Sequence, residues 1–482
     1  MFCMGKIVFL QNEYEDKIGV LSLIAYLKLK GHFAELFIID GRNWLDEVKE
    51  YKPDLLGFSV LTGGHLYVES CAQEIKQYKR CTIPIIVGGA HPTFFPEIIN
   101  NPHIDYICRG EGELAIEELL ERIDRNGDLT SIPNIWAKID DMVFKNDVRP
   151  LIEDLNILPE PDRSHYAKYT FLKSNPHKKI ITSRGCPFSC TYCYNSAFKV
   201  LYKNKGQILR RRSVENVLKE ILHLQQVGGW KTLEIVDDAF LADRKWFLQF
   251  AEEYHNKVNL PYACFSIVNN IDKEVAEALK RSKCKCVLFG IEAGNERIRR
   301  DVYKKRVSNN DILRGAAVLH EAGIEFLTFN MVGAPFETFT EMEETIHINQ
   351  KIKTDHPWCS IMQPYPGTEI FDYCVEKGLI DKNAEITSFT YFEECILKNS
   401  KKRIREIRNI QRLFFILSKW RFLNRFCRII VNLPFTPLYT LIFYICYAYS
   451  LRKRYNLRLR HLFLYWLTLE RTKKYHKKKT RE

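Results

Sequence analysis

The chain has 482 residues, of which 46% are hydrophobic and 27% charged. This composition excludes a disordered protein, and the length predicts two or three domains. The chain has 15 cysteines, and its N-terminal segment does not resemble a secretory signal. Together these features disfavour a disulfide framework and predict a reducing, cytoplasmic location. The net charge of +13 is uneven: residues 401–482 hold 22 Lys and Arg against 3 Asp and Glu, whereas the first 400 residues hold 50 against 56.

Residues 1–145 alternate short apolar strands with helices, and the candidate strands are 6–10, 34–40, 55–60, 83–89 and 104–110. This rhythm is typical of an α/β domain, and it predicts a doubly wound, Rossmann-like parallel sheet with helices on both faces. Ligands of such sheets lie beyond the carboxyl ends of the strands. Residues 146–175 are rich in proline and lack periodicity, so we interpret them as a linker.

Residues 176–385 repeat the strand–helix rhythm. The six candidate strands are 178–183, 232–236, 262–267, 286–292, 325–332 and 358–363. Six such units predict a partial (β/α)6 barrel of the TIM type, whose active site lies at the carboxyl ends of the strands.

Residues 386–482 form a basic, apolar and mostly helical tail. The pattern predicts one amphipathic helix over 411–430. Residues 429–450 carry no charge and are long enough to span a bilayer, but Pro434 and Pro437 interrupt them and both flanks are basic. We therefore expect residues 412–482 to bind an anionic membrane surface peripherally, at the cytoplasmic face. The alternative is a helical subdomain packed on the barrel, and nucleic acid is disfavoured because no RNA-binding module is present.

The stretch SRGCPFSCTYCYN, residues 183–195, places Cys186, Cys190 and Cys193 in one short loop. A structural zinc ion takes four ligands, commonly as two separated pairs, whereas iron–sulfur clusters are held by thiolates. Three thiolates leave one iron of a cluster free to bind another molecule. The alternative, three ordinary buried cysteines, is disfavoured because the loop follows the first barrel strand.

This loop and its strand context resemble the radical S-adenosylmethionine (SAM) enzymes. The resemblance implies that Cys186, Cys190 and Cys193 hold a 4Fe-4S cluster whose open iron binds SAM. It further implies that an electron from the cluster cleaves SAM to a 5′-deoxyadenosyl radical, and that Tyr192 packs beside the cofactor.

Later motifs match the same family at the strand ends. EIVDDAF supplies Asp237 and Asp238, of which one, not specified by the sequence, is expected to bind the SAM ammonium group; the alternative is a helix N-cap. FGIEAGNERI resembles the fourth-strand segment and makes Glu292 a candidate partner of SAM. MVGAPFET resembles the segment that approaches adenine, where Gly333 permits close contact with the backbone.

Three motifs at successive strand ends, GFSVLTGG, IIVGGAHPTFFPE and DYICRGEGE, are similar to the cobalamin-binding domain fused to many radical SAM enzymes. The candidate cobalamin contacts are Ser59, Thr62, Gly88, Gly89, His91 and Thr93. One departure is that Tyr14 and Asp16 occupy the positions of the usual Asp and His, so no lower cobalt ligand is predicted. The alternative is a vestigial or nucleotide-binding domain, although no G-x-G-x-x-G fingerprint follows the first strand.

The sequence therefore predicts a cobalamin-dependent radical SAM enzyme, most simply a C-methyltransferase. The resemblance implies hydrogen abstraction from an unactivated carbon and methyl transfer from methylcobalamin, with a flavodoxin or ferredoxin as electron donor. The basic, apolar tail suggests a lipid or isoprenoid among small-molecule substrates. The alternatives are radical rearrangement, cyclisation or oxidation without methyl transfer, and a non-catalytic cobalamin carrier or sensor.

Overall fold

The computed structural model describes residues 4–12, 16–39, 44–384, 395–455 and 457. The N-terminal strands are β1 Lys6–Gln11, β2 Phe33–Ile38, β3 Leu55–Ser59, β4 Ile85–Gly88, β5 Tyr106–Cys108, β6 Ile135–Ile139 and β7 Met142–Phe144. They form one sheet in the order β2-β1-β3-β4-β5-β6-β7. The first five strands are parallel, and β6 and β7 are antiparallel to their neighbours.

Helices cover both faces of this sheet, as predicted. They are α1 Ile18–Leu29, α2 Trp44–Tyr51, α3 His65–Gln77, α4 Ala90–Phe94 and α5 Glu113–Asp124. Leu21 of α1 and Leu119 of α5 belong to one apolar core, whereas Val48 of α2 and Val68 of α3 belong to the core of the opposite face. The β6–β7 hairpin, which the sequence analysis did not predict, extends the sheet beyond β5.

The interpreted linker contains the short helix α6 Thr170–Ser174 and leads into a second parallel sheet. The following strands are β8 His177–Ile180, β9 Ser183–Arg184, β10 Arg210–Arg211, β11 Thr232–Ile235, β12 Tyr262–Ser266, β13 Cys284–Glu292, β14 Glu325–Val332 and β15 His356–Ile361. Six of them form a sheet in the order β15-β14-β13-β12-β11-β8. Neighbouring strands are parallel, which confirms the partial barrel. The predicted first strand, 178–183, ends earlier, and its last residue belongs to the separate β9–β10 ladder.

Helices on the outer face complete the α/β units of the barrel. They are α7 Tyr194–Leu201, α8 Val214–Val227, α9 Arg244–Lys257, α10 Lys273–Arg281, α11 Asn309–Ala322, α12 Phe339–Lys351 and α13 Glu369–Glu376. Leu218 of α8, Phe250 of α9 and Leu319 of α11 pack with Ile235 and Phe326 of the strands in one large core.

The tail contains α14 Lys401–Lys419, α15 Cys427–Ile430 and α16 Thr436–Tyr455. The prediction of one helix over 411–430 is wrong, because the chain becomes extended at Trp420, with φ −114° and ψ 92°. The Gln350 amide of α12 donates to the Leu417 carbonyl at 2.5 Å, so a tertiary contact satisfies a carbonyl that a continuing helix would have used.

The C-terminal part of α16 contacts several barrel strands. Ser450 Oγ lies 3.0 Å from His356 Nδ1, and Lys453 pairs with Glu325 at 2.9 Å. The Tyr455 hydroxyl donates to Glu234 of β11. Within the described ranges, none of the helices combines the length and apolar character needed to cross a bilayer. The basic run at 471–482 lies outside the described residues.

Candidate active site

The three predicted metal ligands lie in the loop of residues 185–193, here called the cluster loop, between β9 and α7. Gly185 has φ +84°, and a Cβ at this position would lie 2.1 Å from the Ile208 carbonyl oxygen, so only glycine fits without a shift of the backbone. Lys199 Nζ of α7 donates to the carbonyls of Pro187 at 2.6 Å and Phe188 at 2.7 Å. The loop is therefore shaped by its own sequence and fixed by contacts from α7.

All three cysteines of the cluster loop are free thiols. Cys186 is buried, and Cys190 and Cys193 are half-buried. Burial raises the pKa of the Cys193 thiol to about 11. Among the residues that the structure describes, no three His, Cys, Asp or Glu side chains are placed to hold one metal ion. A four-iron cluster requires wider spacing than a single ion, because each thiolate binds a different iron.

Tyr192 of the cluster loop contacts Glu292 of β13. The Tyr192 hydroxyl donates to Glu292 Oε1 at 3.0 Å, and Lys305 Nζ donates to the same oxygen at 2.9 Å. Glu292 lies at a register shift between β13 and β14 and has φ +67°, an unusual conformation for a residue other than glycine. Gly290 makes room for this arrangement, since its Cβ would lie 1.9 Å from Glu292 Oε1.

The two adjacent aspartates after β11 have different surroundings. Asp237 is buried and accepts hydrogen bonds from the Thr182 amide at 2.7 Å and the Ser183 hydroxyl at 2.5 Å, and Arg211 lies 3.6 Å away. Asp238 instead lines the cavity beside the cluster loop. Asp238 is exposed, but partial desolvation by the surrounding protein raises the pKa of its carboxyl, a hydrogen bond with Asn195 opposes this rise, and the nearby Asp237 adds to it. Asp238 is therefore the member of the pair with access to a ligand.

A cavity of about 770 Å³, here called the interdomain cavity, lies between the carboxyl ends of the first sheet and the cluster loop. Its volume is within the range of cofactor sites. Eight predicted site residues line it: Ser59, Thr62, Gly88, Gly89 and Thr93 from the first sheet, and Tyr192, Cys193 and Asp238 from the barrel. Gly57, Gly110 and Gly112 also belong to the lining of this cavity.

Other predicted site residues lie outside the lining of this cavity. His91 is buried, stacked on His65 with ring centroids 4.1 Å apart, and 3.3 Å from Thr62 Oγ1. Burial, assisted by His65, lowers the pKa of His91 to about 3, so its ring is neutral. His91 therefore positions Thr62 in this structure. Gly333, with φ +87°, faces the Ile407 side chain of α14, whose Cγ2 lies 3.2 Å from the Cβ position.

The position predicted to lack a lower cobalt ligand is partly described. Asp16 is buried and lies 3.9 Å from Lys178 Nζ of β8, and it is not part of the cavity lining. Tyr14 lies outside the described residues.

Tyr194, the residue after the third cysteine, links the two domains. Its hydroxyl lies 3.0 Å from Thr62 Oγ1, and its ring stacks on Phe94 of α4 with centroids 4.6 Å apart and planes inclined by 6°. Tyr365, beyond β15, approaches the same ring at 5.7 Å. Three separate segments thus form one aromatic wall of the interdomain cavity, which the sequence analysis did not identify.

A set of ion pairs also joins the domains at the cluster loop. Arg184 of β9 pairs with Glu111 at 2.9 Å and with Glu113 at 2.5 Å, and Arg210 of β10 pairs with Glu111 at 2.9 Å. Burial raises the pKa of Glu113, but the charge and hydrogen bond of Arg184 outweigh it and leave that pKa below its ordinary value. Both carboxylates belong to the GEGE segment, residues 110–113. The sequence analysis included this segment in a cobalamin-domain motif but assigned no role to its glutamates.

The interpreted linker contributes to the cavity wall. Leu155, Leu158, Pro159 and Pro161 line the interdomain cavity together with apolar residues of the first domain. Sequence reasoning missed this role because an irregular, proline-rich segment carries no periodicity that indicates a buried face.

Comparisons with known proteins agree with this architecture. Residues 180–348 match the Radical SAM superfamily, and residues 12–120 match the B12 binding domain. An uncharacterized methyltransferase of Pyrococcus horikoshii is 30% identical over 69% of this chain and 72% of its own length. The chain therefore belongs to the cobalamin-binding radical SAM family and is an enzyme of that class.

Two further relatives and one solved structure extend the comparison. The cytidylyl-2-hydroxyethylphosphonate methyltransferase of Streptomyces wedmorensis is 25% identical, with 72% of each chain covered. The hopanoid C-3 methylase of Methylococcus capsulatus is 24% identical over 75% of this chain and 68% of its own. The structure of OxsB, a cobalamin-dependent SAM radical enzyme, has a TM-score of 0.69 at 15% identity and covers 93% of this chain and 71% of its own. That similarity shows a shared fold.

Proposed function

We propose that Cys186, Cys190 and Cys193 bind a 4Fe-4S cluster, that the interdomain cavity binds cobalamin, and that the enzyme methylates an unactivated carbon. The observation that carries this proposal is the cavity itself, because Cys193 lines one wall and the Gly88–Gly89 pair lines another. When bound, the cluster supplies an electron for the cleavage of SAM and cobalamin supplies a methyl group. We further propose a flavodoxin or ferredoxin as the electron donor.

The chain's own residues would position these groups. We propose that Asp238 binds the SAM ammonium group, since it is the carboxylate that lines the cavity. Tyr192 would pack beside SAM, with its hydroxyl held by Glu292. Lys305 already pairs with Glu292 in this structure, so Glu292 would reach SAM only at an oxygen that this pair leaves free. Asp237 and Gly333 would contribute by fixing the conformation of the loops that follow β11 and β14.

The corrin is proposed to lie against the first sheet. Ser59, Thr62, Gly88, Gly89 and Thr93 line that side, and Thr93 is itself held by its hydrogen bond to the Gly89 carbonyl at 2.7 Å. His91 would contribute through Thr62 rather than by direct contact. Neither Asp16 nor His91 lines the cavity, so we propose no side chain as the lower cobalt ligand.

Anaerobic reconstitution tests this function. The wild-type protein is incubated with iron, sulfide and hydroxocobalamin, desalted, and assayed for corrin absorbance and iron. SAM labelled in its methyl group is then added with dithionite, and 5′-deoxyadenosine is measured. Retained corrin, about four irons and deoxyadenosine are the expected result. Deoxyadenosine without corrin would contradict methyl transfer from cobalamin, whereas corrin without a cluster would favour a cobalamin carrier.

We also propose that the tail binds an anionic membrane surface and that the substrate is a lipid or isoprenoid. The support is a surface of exposed apolar side chains between residues 420 and 449, here called the tail surface. Its members are Trp420, Phe422, Phe426, Ile429, Leu433, Phe435, Leu438, Leu441, Tyr444, Ile445 and Tyr449. Arg421, Arg425 and Arg428 are exposed among them, and residues 420–455 contain no Asp or Glu. An apolar patch with a purely basic rim suits anionic lipid.

Vesicle binding tests the tail surface. The full-length protein is expected to sediment with phosphatidylglycerol-containing vesicles, and to do so less at high salt. The combined change of Phe422, Ile429 and Ile445 to serine is expected to weaken binding at least roughly tenfold, because each side chain is more than half exposed and would enter the bilayer. Val200→Ser and Val227→Ser, exposed apolar positions outside the tail, are the matched controls. Equal binding of all variants would contradict the proposed role of the tail surface. In a reaction with methyl-labelled SAM and lipid, label that does not enter the lipid extract would contradict a lipid substrate.

A further inference from the structure

Arg210 has unused hydrogen-bond donors in the wall of the interdomain cavity. Its side chain is 2% exposed and is fixed by Nη1, which donates to the Ile152 carbonyl at 2.7 Å and pairs with Glu111 at 2.9 Å. Its Nε and Nη2 atoms are buried and have no hydrogen-bond partner among the described residues. Arg210 is also one of the residues that line the cavity.

Buried guanidinium nitrogens are costly to leave unpaired, so a pair of them at a cavity indicates a ligand acceptor. Arg163 and Arg211 each leave only Nε without a partner, and neither belongs to the cavity lining. Nε and Nη2 are one edge of the planar guanidinium, an edge suited to an oxygen acceptor. Arg210 therefore differs from Arg163 and Arg211 in the number of its unpaired donors and in lining the cavity.

We infer that Nε and Nη2 of Arg210 donate hydrogen bonds to an oxygen of cobalamin, an inference that rests on the proposed function. Both fixed contacts of Arg210, Glu111 and Ile152, belong to the N-terminal side of the cavity rather than to the cluster loop. Gly110 and Gly112 flank Glu111 in the lining of the same cavity. Cobalamin offers acceptors of two kinds, the carbonyls of its peripheral amides and its phosphodiester.

Binding of hydroxocobalamin to the full-length protein tests the inference by the dissociation constant, read from corrin absorbance. Arg210→Lys keeps a charge for Glu111 but lacks the guanidinium edge. It is expected to bind hydroxocobalamin roughly ten- to a hundredfold more weakly, with iron content after reconstitution unchanged. Cobinamide, which lacks the phosphodiester and nucleotide, separates the two acceptors. If Arg210→Lys binds both corrinoids more weakly than the wild type, the contact is with a peripheral amide. If it binds only cobalamin more weakly, the contact is with the phosphodiester.

Arg163→Lys is the matched control, because Arg163 pairs with the buried Glu220 at 2.8 Å and lies outside the cavity lining. It is expected to bind both corrinoids as the wild type does. Unchanged affinity in Arg210→Lys, or an equal loss in Arg163→Lys, would overturn the assignment of Arg210. Failure of the wild type to bind either corrinoid would instead overturn the proposed function.

Discussion

Replacing Cys190 with alanine is expected to abolish both the iron–sulfur cluster and the formation of 5′-deoxyadenosine. The proposed cluster has three protein ligands, and the cluster loop presents no further cysteine that could replace one of them. The loop is also fixed, since Thr191, next to Cys190, donates its amide to the Tyr303 carbonyl at 3.0 Å and its hydroxyl to the Val302 carbonyl at 2.6 Å. These contacts oppose the movement of a neighbouring side chain into the vacant position.

The measurement is iron and sulfide content after anaerobic reconstitution, followed by the assay of deoxyadenosine. Cys186→Ala and Cys193→Ala are expected to behave in the same way. Cys374→Ala is the control, because Cys374 is fully buried in the core around α13, outside the cluster loop. A Cys190→Ala protein that keeps four irons and cleaves SAM would show that this thiolate is not a ligand.

The sequence predicted the elements that carry strong local signals. Alternating apolar strands and helices defined both parallel sheets, because a parallel strand buried on both faces is apolar throughout. The Gly185 turn and the three cysteines share one short loop, so their proximity follows from covalent connection alone. The Gly88–Gly89 pair ends a strand, and the position of ligands beyond strand ends is a property of the fold.

The remaining site features depend on packing between distant segments. Asp237 and Asp238 are the same residue type at adjacent positions, and contacts with Thr182, Ser183 and Arg211, all distant in sequence, distinguish the buried Asp237 from its neighbour. His91 follows the strand end in the same way as Thr93, but the stacking of His65 removes it from the cavity. No periodic pattern in the sequence contains this information.

The tail shows the same limit in a different form. Its apolar periodicity indicates helical structure, and α14 covers 411–419 of the predicted helix, but the break at Trp420 has no proline or glycine as a cause and coincides with contacts from α12. Ile407, Ile410 and Phe414 of α14 are buried in the second core of the barrel domain, while the tail surface remains exposed. Point substitutions are therefore a better test of membrane binding than removal of residues 401–482, which would expose that core.

Replacing Arg184 with methionine is expected to destabilise the junction between the domains by about 3 kcal/mol at pH 7.5. The change leaves Glu113, whose side chain is 4% exposed, without the ion pair of 2.5 Å that compensates its burial. Arg210 still pairs with Glu111 at 2.9 Å, so the loss is concentrated on Glu113. An uncompensated buried carboxylate is more costly than a missing surface ion pair, because its charge has lost solvation without gaining a partner.

The destabilisation is expected to depend on pH. In the wild type the folded pKa of Glu113 is lowered, so its contribution to stability is present above the unfolded pKa and is lost as the pH falls through the folded pKa. In Arg184→Met, burial is the dominant influence and raises the folded pKa, so the folded state binds a proton more readily than the unfolded state. The free energy of unfolding of the variant should therefore approach that of the wild type as the pH is lowered from 7.5 to 5.

Urea unfolding at pH 7.5 and pH 5.0 measures both effects. Arg244→Met is the matched control, because Arg244 forms an exposed pair with Asp272 at 2.6 Å, and its removal is expected to cost within about 0.5 kcal/mol at either pH. The same Arg184→Met protein should also retain less corrin after desalting, since Glu111 and Glu113 line the interdomain cavity. A loss of stability equal at both pH values would show that the packing of Arg184, rather than its charge beside Glu113, joins the two domains.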